Sequence, residues 1–555
     1  MEFDVILESG LVVDGTGQAG IRGDVGIVGD TIVATGDLSA ARARQRVDCS
    51  SQVISPGFID IHTHYDAPVL WDPDLTPSSW YGVTTVLFGN CSFSIAPTRD
   101  DAELRNMAVG ILQTAEGMSG DVLQAGVSWD FETFPEYLDC LRDQGTALNV
   151  GALVGHSMLR LFSMGADAFN RPATRGEEAL MCDVLATSIE GGAFGFSTAR
   201  SAHVALGRPI PSRIATKHEM MRLVGVLGRL GTGITQVIGG PDLDIADFAH
   251  MAEVTGGSVT WTPLRTRPRT QKHWVQLAET ERYQELALSL WPQVGCEPVS
   301  VELSFAEPLM MEAIPSFGSL HGASAETRTR ALEDATWRKT AEREMLENEL
   351  MDCAFDRIFV ASSTSAPELE NRSVAELAEE FGRSPFDVMA DIALADLDTR
   401  FRALILDYDD DEVGKLLERS SILVGLSDAG AHQAQLCDAG FACRLLGYWV
   451  RMRKQFPLET AVWKLTGQPA SVFGLDDRGH ILPGAKADIC VFDPTLVGEG
   501  ELIRWHDLPG GGDRLIREAF GIEHVMVNGQ FIRENGTPTG LRPGRVLAAR
   551  GARQI

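Results

Sequence analysis

A (β/α)₈ TIM barrel carrying a small composite β-sandwich domain is the fold this sequence predicts, and three observations predict it. Between about residue 53 and residue 470, apolar β-like runs alternate with helical stretches, the pattern of a parallel sheet with crossover helices. Eight such runs can be placed. Both chain ends carry short β segments that neither end can bury alone.

The opening, "DVILESGLVVDGTGQAGIRGDVGIVGDTIVATGDL", reads as short strands broken by DGTG, RGD and VGD turns, where residues tolerant of positive φ interrupt valine and isoleucine runs. The end supplies matching material in "ADICVFDP" and "IEHVMVNGQFIRENG", the second with Asn-Gly twice at turn positions. Residues 1–53 and 471–555 are therefore expected to pair into one β domain, with the barrel over 54–470 between them. The eight barrel runs are "VISPGFIDIHTH", "TTVLFGN", "NVGALVGH", "GAFGFSTA", "GTGITQVIG", "GSVTWTPL", "VGCEPVSVE" and "SILVGLSD". Amphipathic helices lie between several of them, such as "RGEEALMCDVLATSIEGG", which closes on a Gly pair suited to a helix C-terminus. The chain exceeds the ~250 residues of a plain barrel. Its surplus lies mainly in a charged helical insertion around residues 320–352, read as a lid or a subunit contact and compatible with a homo-oligomer.

With 555 residues the chain outgrows the ~250–300 at which single cores stop growing, so two unequal domains are expected. Its 48 basic residues against 77 acidic ones leave a net charge of −29. Such a surface repels phosphate backbones and anionic lipid, which argues against nucleic-acid and membrane partners. The nine cysteines are scattered without a CxxC pair, so no disulfide framework is read and a reducing compartment fits. No window approaches the ~18–20 continuous apolar residues of a membrane span, and no basic region precedes an apolar stretch at the N-terminus. The expectation is a cytoplasmic protein acting on a small molecule.

The first barrel run ends in His62 and His64. Side chains two apart on a strand project to one side, so both imidazoles can face the C-terminal mouth of the barrel, where barrel enzymes build their sites. "VLFGNCSFSIAP" places Cys91 just past the second run, and a thiolate there matches two neutral imidazoles as a zinc ligand. The eighth run, "ILVGLSDAGAH", ends with Asp428, a carboxylate costly beside so apolar a strand. Each has an ordinary alternative: a chance HxH, a buried cysteine, an N-cap aspartate. Their convergence on the ends of strands one, two and eight favours a zinc-type ligand set.

These residues sit within a longer resemblance. "GLVVDGTG", "VISPGFIDIHTHYD", "GVTTVLFGNCSFSIAP", "VGHSMLR", "GAFGFST", "GLSDAGAH", "LETAVWKLTGQPASVFGLDDRGHILPGAKADICVFDP" and the tail "GRVL" look like the D-aminoacylase branch (N-acyl-D-amino-acid deacylases) of the amidohydrolase superfamily, in consistent order along nearly the whole chain. The resemblance implies a zinc-bearing barrel with a small β domain from both ends, and hydrolysis of an amide bond. It puts the family's HxH on His62 and His64, its bridging cysteine on Cys91 and its catalytic aspartate on Asp428. The family's tighter metal site also uses histidines at the ends of strands five and six. Here "GITQVIGG" has Gln236 at the first of those places and "SVTWTPLRT" has no histidine, while His250 in the helical "DFAHMAEV" is a poor substitute. The carboxylated lysine used elsewhere in the superfamily is also unavailable, because the fourth run ends "GFSTA". One Zn²⁺ per chain is the expectation.

A zinc ion lowers the pKa of a water toward ~7 and polarises a carbonyl, which is what cleavage of a C–N amide bond needs. Asp428 is assigned as general base toward the water and then as general acid toward the leaving amine. His432, four residues on, and His156, ending the third run, are candidates to donate to a developing oxyanion. In "STARSAHVALGRPIPSR" Arg200, His203, Arg208 and Arg213 cluster, and an arginine fork suits the carboxylate of an N-acyl-D-amino acid or related acidic amide. Arg265, Arg267 and Arg269 after the sixth run are a second anchor. Two other readings stay open: a hydrolase of another amide, cyclic imide or lactone on the same fold, and a catalytically silent partner subunit that has lost half the metal centre. A two-histidine, one-carboxylate iron site is disfavoured by the thiolate.

Overall fold

The structure, a computed structural model, describes residues 2–266, 270–306, 308, 311–312, 314–348, 354–405 and 408–549. Eight parallel strands make the barrel sheet: β1 (Phe58–Asp60), β2 (Val83–Phe88), β3 (Asn149–Gly155), β4 (Gly195–Ala199), β5 (Ile234–Ile238), β6 (Val259–Thr262), β7 (Leu290–Val294) and β8 (Leu423–Val424), each hydrogen-bonded to its neighbour in sequence order. From β2 to β5 every residue is buried. A sheet covered on both faces demands this, and it is why each strand reads as an unbroken apolar run. Helices cover the outside, among them Arg175–Glu190, opened by a capping box between Thr174 and Glu177.

Closure between β8 and β1 is made just beyond the ends of both strands. Asp428 N–H donates to the His62 carbonyl (3.2 Å) and His64 N–H to the Ala429 carbonyl (2.7 Å). The barrel's last seam thus runs through the backbone of three residues singled out as metal ligands.

A second sheet of nine strands is built from both chain ends. Within it Val53–Pro56 lies parallel to Glu2–Val12 and antiparallel to Ile489–Phe492. The predicted first barrel run is therefore two strands, one in each sheet, parted at Gly57. A Cβ at Gly57 would lie 2.1 Å from Thr84 Cγ2, so the chain passes between the sheets where only a glycine fits. The Asn528–Gly529 pair turns the hairpin of Ile522–Val527 and Gln530–Glu534 with φ of 46° and 80°, as its sequence predicts.

The predicted seventh run is corrected. β7 is "LWPQV", and "VGCEPVSVE" instead contributes Val299–Leu303 to a separate sheet, antiparallel to Arg400–Ile405, which also pairs with Ile358–Ser362. Pro292 within β7 argues against a central strand, since proline cannot donate to a ladder. Val299–Leu303, by contrast, is β-branched, but its alternating burial belongs to a half-exposed antiparallel strand. These three strands share a hydrophobic cluster with the helices Ala325–Glu333, Ala335–Glu347, Val374–Phe381 and Pro385–Ala395. The charged helical stretch around 320–352 thus packs within an α+β unit between β7 and β8; residues 349–352 lie outside the described residues. No described helix is long and apolar enough to cross a membrane.

A buried polar network ties the two sheets together. Asp488 accepts from Asn149 Nδ2 (2.9 Å), Asn528 N (2.7 Å) and Arg478 Nη1 (2.5 Å), and Asn528 Nδ2 donates to Asn149 Oδ1 (2.8 Å). Asn149 opens β3, whereas Asp488 and Asn528 belong to the composite sheet's turns. Asp488→Ala is expected to destabilise the protein by about 3 kcal/mol in denaturant unfolding, the lower end for a broken buried pair because Asp477 still contacts the guanidinium. A midpoint unchanged from wild type would show that the network carries no stability.

Candidate metal centre and active site

His62 and His64 follow β1 and are 0% and 2% exposed. His62 Nδ1 lies 2.8 Å from Gln293 Oε1, and Gln293 Nε2 donates to Thr260 Oγ1 at 3.2 Å, which fixes the amide with its oxygen toward the imidazole. The proton of His62 is therefore on Nδ1 and the lone pair is on Nε2, 3.1 Å from Cys91 Sγ. His64 Nδ1 faces Glu116 Oε2 at 3.1 Å, so a buried carboxylate orients the second ring. Burial pushes His62 down to about 4. Burial has the same sense at His64, but Glu116 and Asp428 reverse it and hold that ring well above the ordinary histidine value.

Cys91 sits in a tight turn after β2 with φ of 60°, and Ser92 follows at 74°. Left-handed backbone at non-glycine residues costs about 1–3 kcal/mol each and persists where the surroundings over-determine it. Here the surroundings are Gln236 Oε1, which accepts from Cys91 N–H at 2.7 Å. Burial pushes the Cys91 thiol up to about 12 against the pull of His64, so a thiolate forms there only with a cation beside it.

The nitrogen and sulfur atoms of His62, His64 and Cys91 lie within 4.8 Å of one another, the only such ligand set among the described residues. Two imidazoles, their outer nitrogens facing an amide oxygen and a carboxylate, and one thiol make a donor set that suits a divalent zinc-type ion. Asp428 Oδ1 approaches His62 Nε2 to 3.4 Å and His64 Nε2 to 3.7 Å, borders the set without joining it, and is 36% exposed toward the cavity. Burial would raise the Asp428 carboxyl, but its hydrogen bond to His64 and the charges of His62 and His64 bring it down to about 2.

A cavity of about 650 Å³ opens over these groups. His432 and His203 line it, both pushed down to about 4 by burial, and His432 Nδ1 is buried without a hydrogen-bond partner. Arg200, Arg213 and Arg265 line it as well. Arg200 is engaged by Asp242 Oδ2 (2.8 Å) and the Arg213 carbonyl (2.5 Å), whereas no carboxylate meets the Arg213 guanidinium among the described residues. Arg208 is not brought to the cavity: it is exposed, donates to Asn170 and stacks on Phe169. His156 is likewise elsewhere, held between Thr198 Oγ1 (2.9 Å) and Glu219 Oε1 (3.0 Å), with Arg160 on the same carboxylate. His250 is an exposed helix residue paired with Glu253. Arg267 and Arg269 lie outside the described residues.

Two residues of the site escape the sequence reading, Gln293 and Glu116. Gln293 hides in an apolar strand misplaced by its proline. Glu116 carries a signal in hindsight, because it ends the helix Ala102–Ala115, where the backbone carbonyls disfavour an acid. On β5 and β6, Gln236 Nε2 donates to Thr262 Oγ1 at 3.3 Å, while Trp261 packs on Phe248.

Comparison with known proteins agrees with this geometry. The amidohydrolase family model matches residues 45–532. The chain belongs to the amidohydrolase family. The D-aminoacylase of Alcaligenes xylosoxydans xylosoxydans is 32% identical over 99% of this chain and 98% of its own. A solved D-aminoacylase structure, concerned with a binuclear metal centre, superposes with a TM-score of 0.68 at 28% identity, covering 98% of this chain and 100% of that one. The N-acyl-D-glutamate deacylase of Bordetella bronchiseptica, solved with zinc and a phosphonate inhibitor, gives 0.68 at 26% identity over 99% of this chain and 100% of that one. The amidohydrolase thus falls in the D-aminoacylase branch and is a metal-dependent hydrolase of C–N amide bonds.

The His156–Glu219–Arg160 group yields a pH prediction for this amidohydrolase. Burial raises the Glu219 carboxyl, but the hydrogen bond and charge of His156 and the charge of Arg160 more than reverse it, to about 2 from an ordinary 4.5. A depressed acid contributes stability that is present above its unfolded pKa and is lost as pH falls toward the folded one. Glu219→Gln is expected to cost about 2–3 kcal/mol at pH 6 and to flatten the loss of stability between pH ~4.5 and ~2, read by urea unfolding across that range. A stable variant without activity would instead make the group part of catalysis.

Proposed function

We propose that the protein hydrolyses N-acyl-D-amino acids or closely related acidic amides with one metal ion per chain. The observation that carries this reading is Asp428 Oδ1 at 3.4 and 3.7 Å from the two inner imidazole nitrogens, a third exposed to the cavity. A carboxylate so placed reaches both a water beside the metal ligands and the nitrogen of an amide in the cavity.

His62, His64 and Cys91 would hold the ion, with Asp428 beside them. When bound, it supplies Lewis acidity that brings a water's pKa toward neutrality and polarises a carbonyl. Asp428, its carboxyl held low, is ionised at neutral pH and accepts the proton of the attacking water. It then returns that proton to the amine nitrogen as the C–N bond breaks. His432 and His203, uncharged at neutral pH, line the same cavity and are placed to donate to the oxygen that gains negative charge. Arg213 offers a guanidinium for the substrate carboxylate, with Arg265 as a further candidate, and the Arg200–Asp242 pair steadies the loop that carries it. The choice of N-acyl-D-amino acids rests on the D-aminoacylase and N-acyl-D-glutamate deacylase relatives. The eight described cysteines are all unpaired, which supports a reducing, cytoplasmic setting.

A single ion is favoured because the Gln236–Thr262 hydrogen bond joins β5 and β6 with a neutral pair that offers no imidazole. Elemental analysis of dialysed protein is expected to give close to one equivalent; two well-occupied equivalents would refute this. Asp428→Asn is expected to lower kcat/KM on N-acyl-D-amino acids by about 10²–10⁴ with metal content retained. Full activity in the metal-loaded variant would remove Asp428 from the mechanism.

A further inference from the structure

The cavity has a second charged side that the mechanism leaves unused. Glu297 follows β7 and Asp438 lies in the loop after β8, and both line the cavity. In the order 8-7-6-5-4-3-2-1, β8 stands across the barrel from β4, whose following loop carries Arg200 and Arg213. An acidic side therefore faces a basic one, with the metal ligands of β1, β2 and β8 alongside.

The acidic side lacks partners. Asp438 is 7% exposed, and Glu297 Oε1 is buried without a hydrogen bond. Neither carboxyl forms a hydrogen bond or ion pair among the described residues. The nearby arginines are drawn elsewhere: Arg444 lies 3.9 Å and Arg517 3.8 Å from Glu499. Three acids against two guanidiniums leave this side with one more acidic group than basic. Burial first, and then repulsion from Asp438 and Glu499 at Glu297 and from Asp428 and Glu499 at Asp438, raise both carboxyls well above the ordinary range. Buried polar groups left unsatisfied are rare and point to a missing partner. A small metal ion is a poor candidate, since no set of three close ligands includes either residue among the described ones. An ammonium or guanidinium, with its several N–H donors, suits a pair of carboxylates better.

We propose that Glu297 and Asp438 receive a cationic group of the substrate while Arg213 takes its carboxylate, so that the preferred amide carries both charges. This rests on the amide-hydrolase reading above. The cation has two sources, a basic side chain on the D-amino acid or an amine on the acyl half, and two substrate pairs separate them. N-acetyl-D-lysine is set against N-acetyl-D-norleucine, and β-alanyl-D-norleucine against butanoyl-D-norleucine.

Wild-type kcat/KM is expected to favour the charged member at least tenfold in one pair, and the pair identifies the source. In Asp438→Asn and Glu297→Gln, checked for folding by circular dichroism, that ratio is expected to fall toward one. If neutral amides are cleaved and neither pair shows a preference, the proposal is wrong and the hydrolase reading stands. A ratio that persists in both folded variants also overturns it. If none of the four amides is cleaved, both readings fall. The wild-type ratios decide the matter even where a variant fails to fold.

Discussion

The seam between β1 and β8 is the constraint on which the rest of the molecule turns. A barrel closes only when its first and last strands meet, and here they meet through Asp428 N–H on His62 O and His64 N–H on Ala429 O. The residues that present the metal ligands are therefore also those that remove the sheet's free edges. Asp428 has φ of 46°, and a Cβ on Gly430 would lie 2.6 Å from the His64 carbonyl, so the loop after β8 is drawn tight against β1. Strain at Asp428 and at His432, with φ of 49°, is offset by this closure rather than by local preference.

Around that seam each ligand is oriented by a partner of different chemistry. A neutral amide, Gln293, sets the tautomer of His62; a buried carboxylate, Glu116, faces Nδ1 of His64; and a second amide, Gln236, holds the Cys91 backbone. These supports come from β7, a helix end and β5, so three crossings of the barrel converge on one ligand set. Between β5 and β6 the same amide makes a second contact. Gln236 and Thr262 bond to each other, so the amide that holds the Cys91 turn is itself held by β6.

Much of this was legible in the amino-acid order. Continuous burial makes β2 to β5 read as apolar runs, and the HxH spacing, the cysteine turn and the aspartate after β8 mark strand ends. What was illegible has physical causes. β7 contains Pro292, whose missing N–H makes a strand look improbable, and the β-branched segment after it is a better strand by composition. It simply belongs to another sheet. Gln293 and Glu116 act through contacts across long sequence separations, which no local pattern encodes. Arg208 and His156 share the composition of true site residues, yet one points to solvent and the other into a closed network, a difference decided by packing alone.

The relation between the metal ligands and the arginine loop is also a matter of hydrogen bonding. Ser92, next to Cys91, contacts Ser157 Oγ at 2.9 Å and Ser212 Oγ at 3.0 Å, and Ser212 adjoins Arg213. Ser212 Oγ in turn donates to the Ala199 carbonyl at the end of β4, at 2.9 Å. All three serines are buried, where hydroxyls keep their partners because nothing else can satisfy them. The turn that carries the thiol and the short helix Pro211–Ile214 that carries the guanidinium are thus one hydrogen-bonded unit. The distance between the ligand set and Arg213 is set by this unit and not by a flexible loop. Under the proposed function, in which Arg213 takes the substrate carboxylate, this fixed spacing would measure a substrate from its amide to its carboxylate through three hydroxyl groups that touch neither end of it.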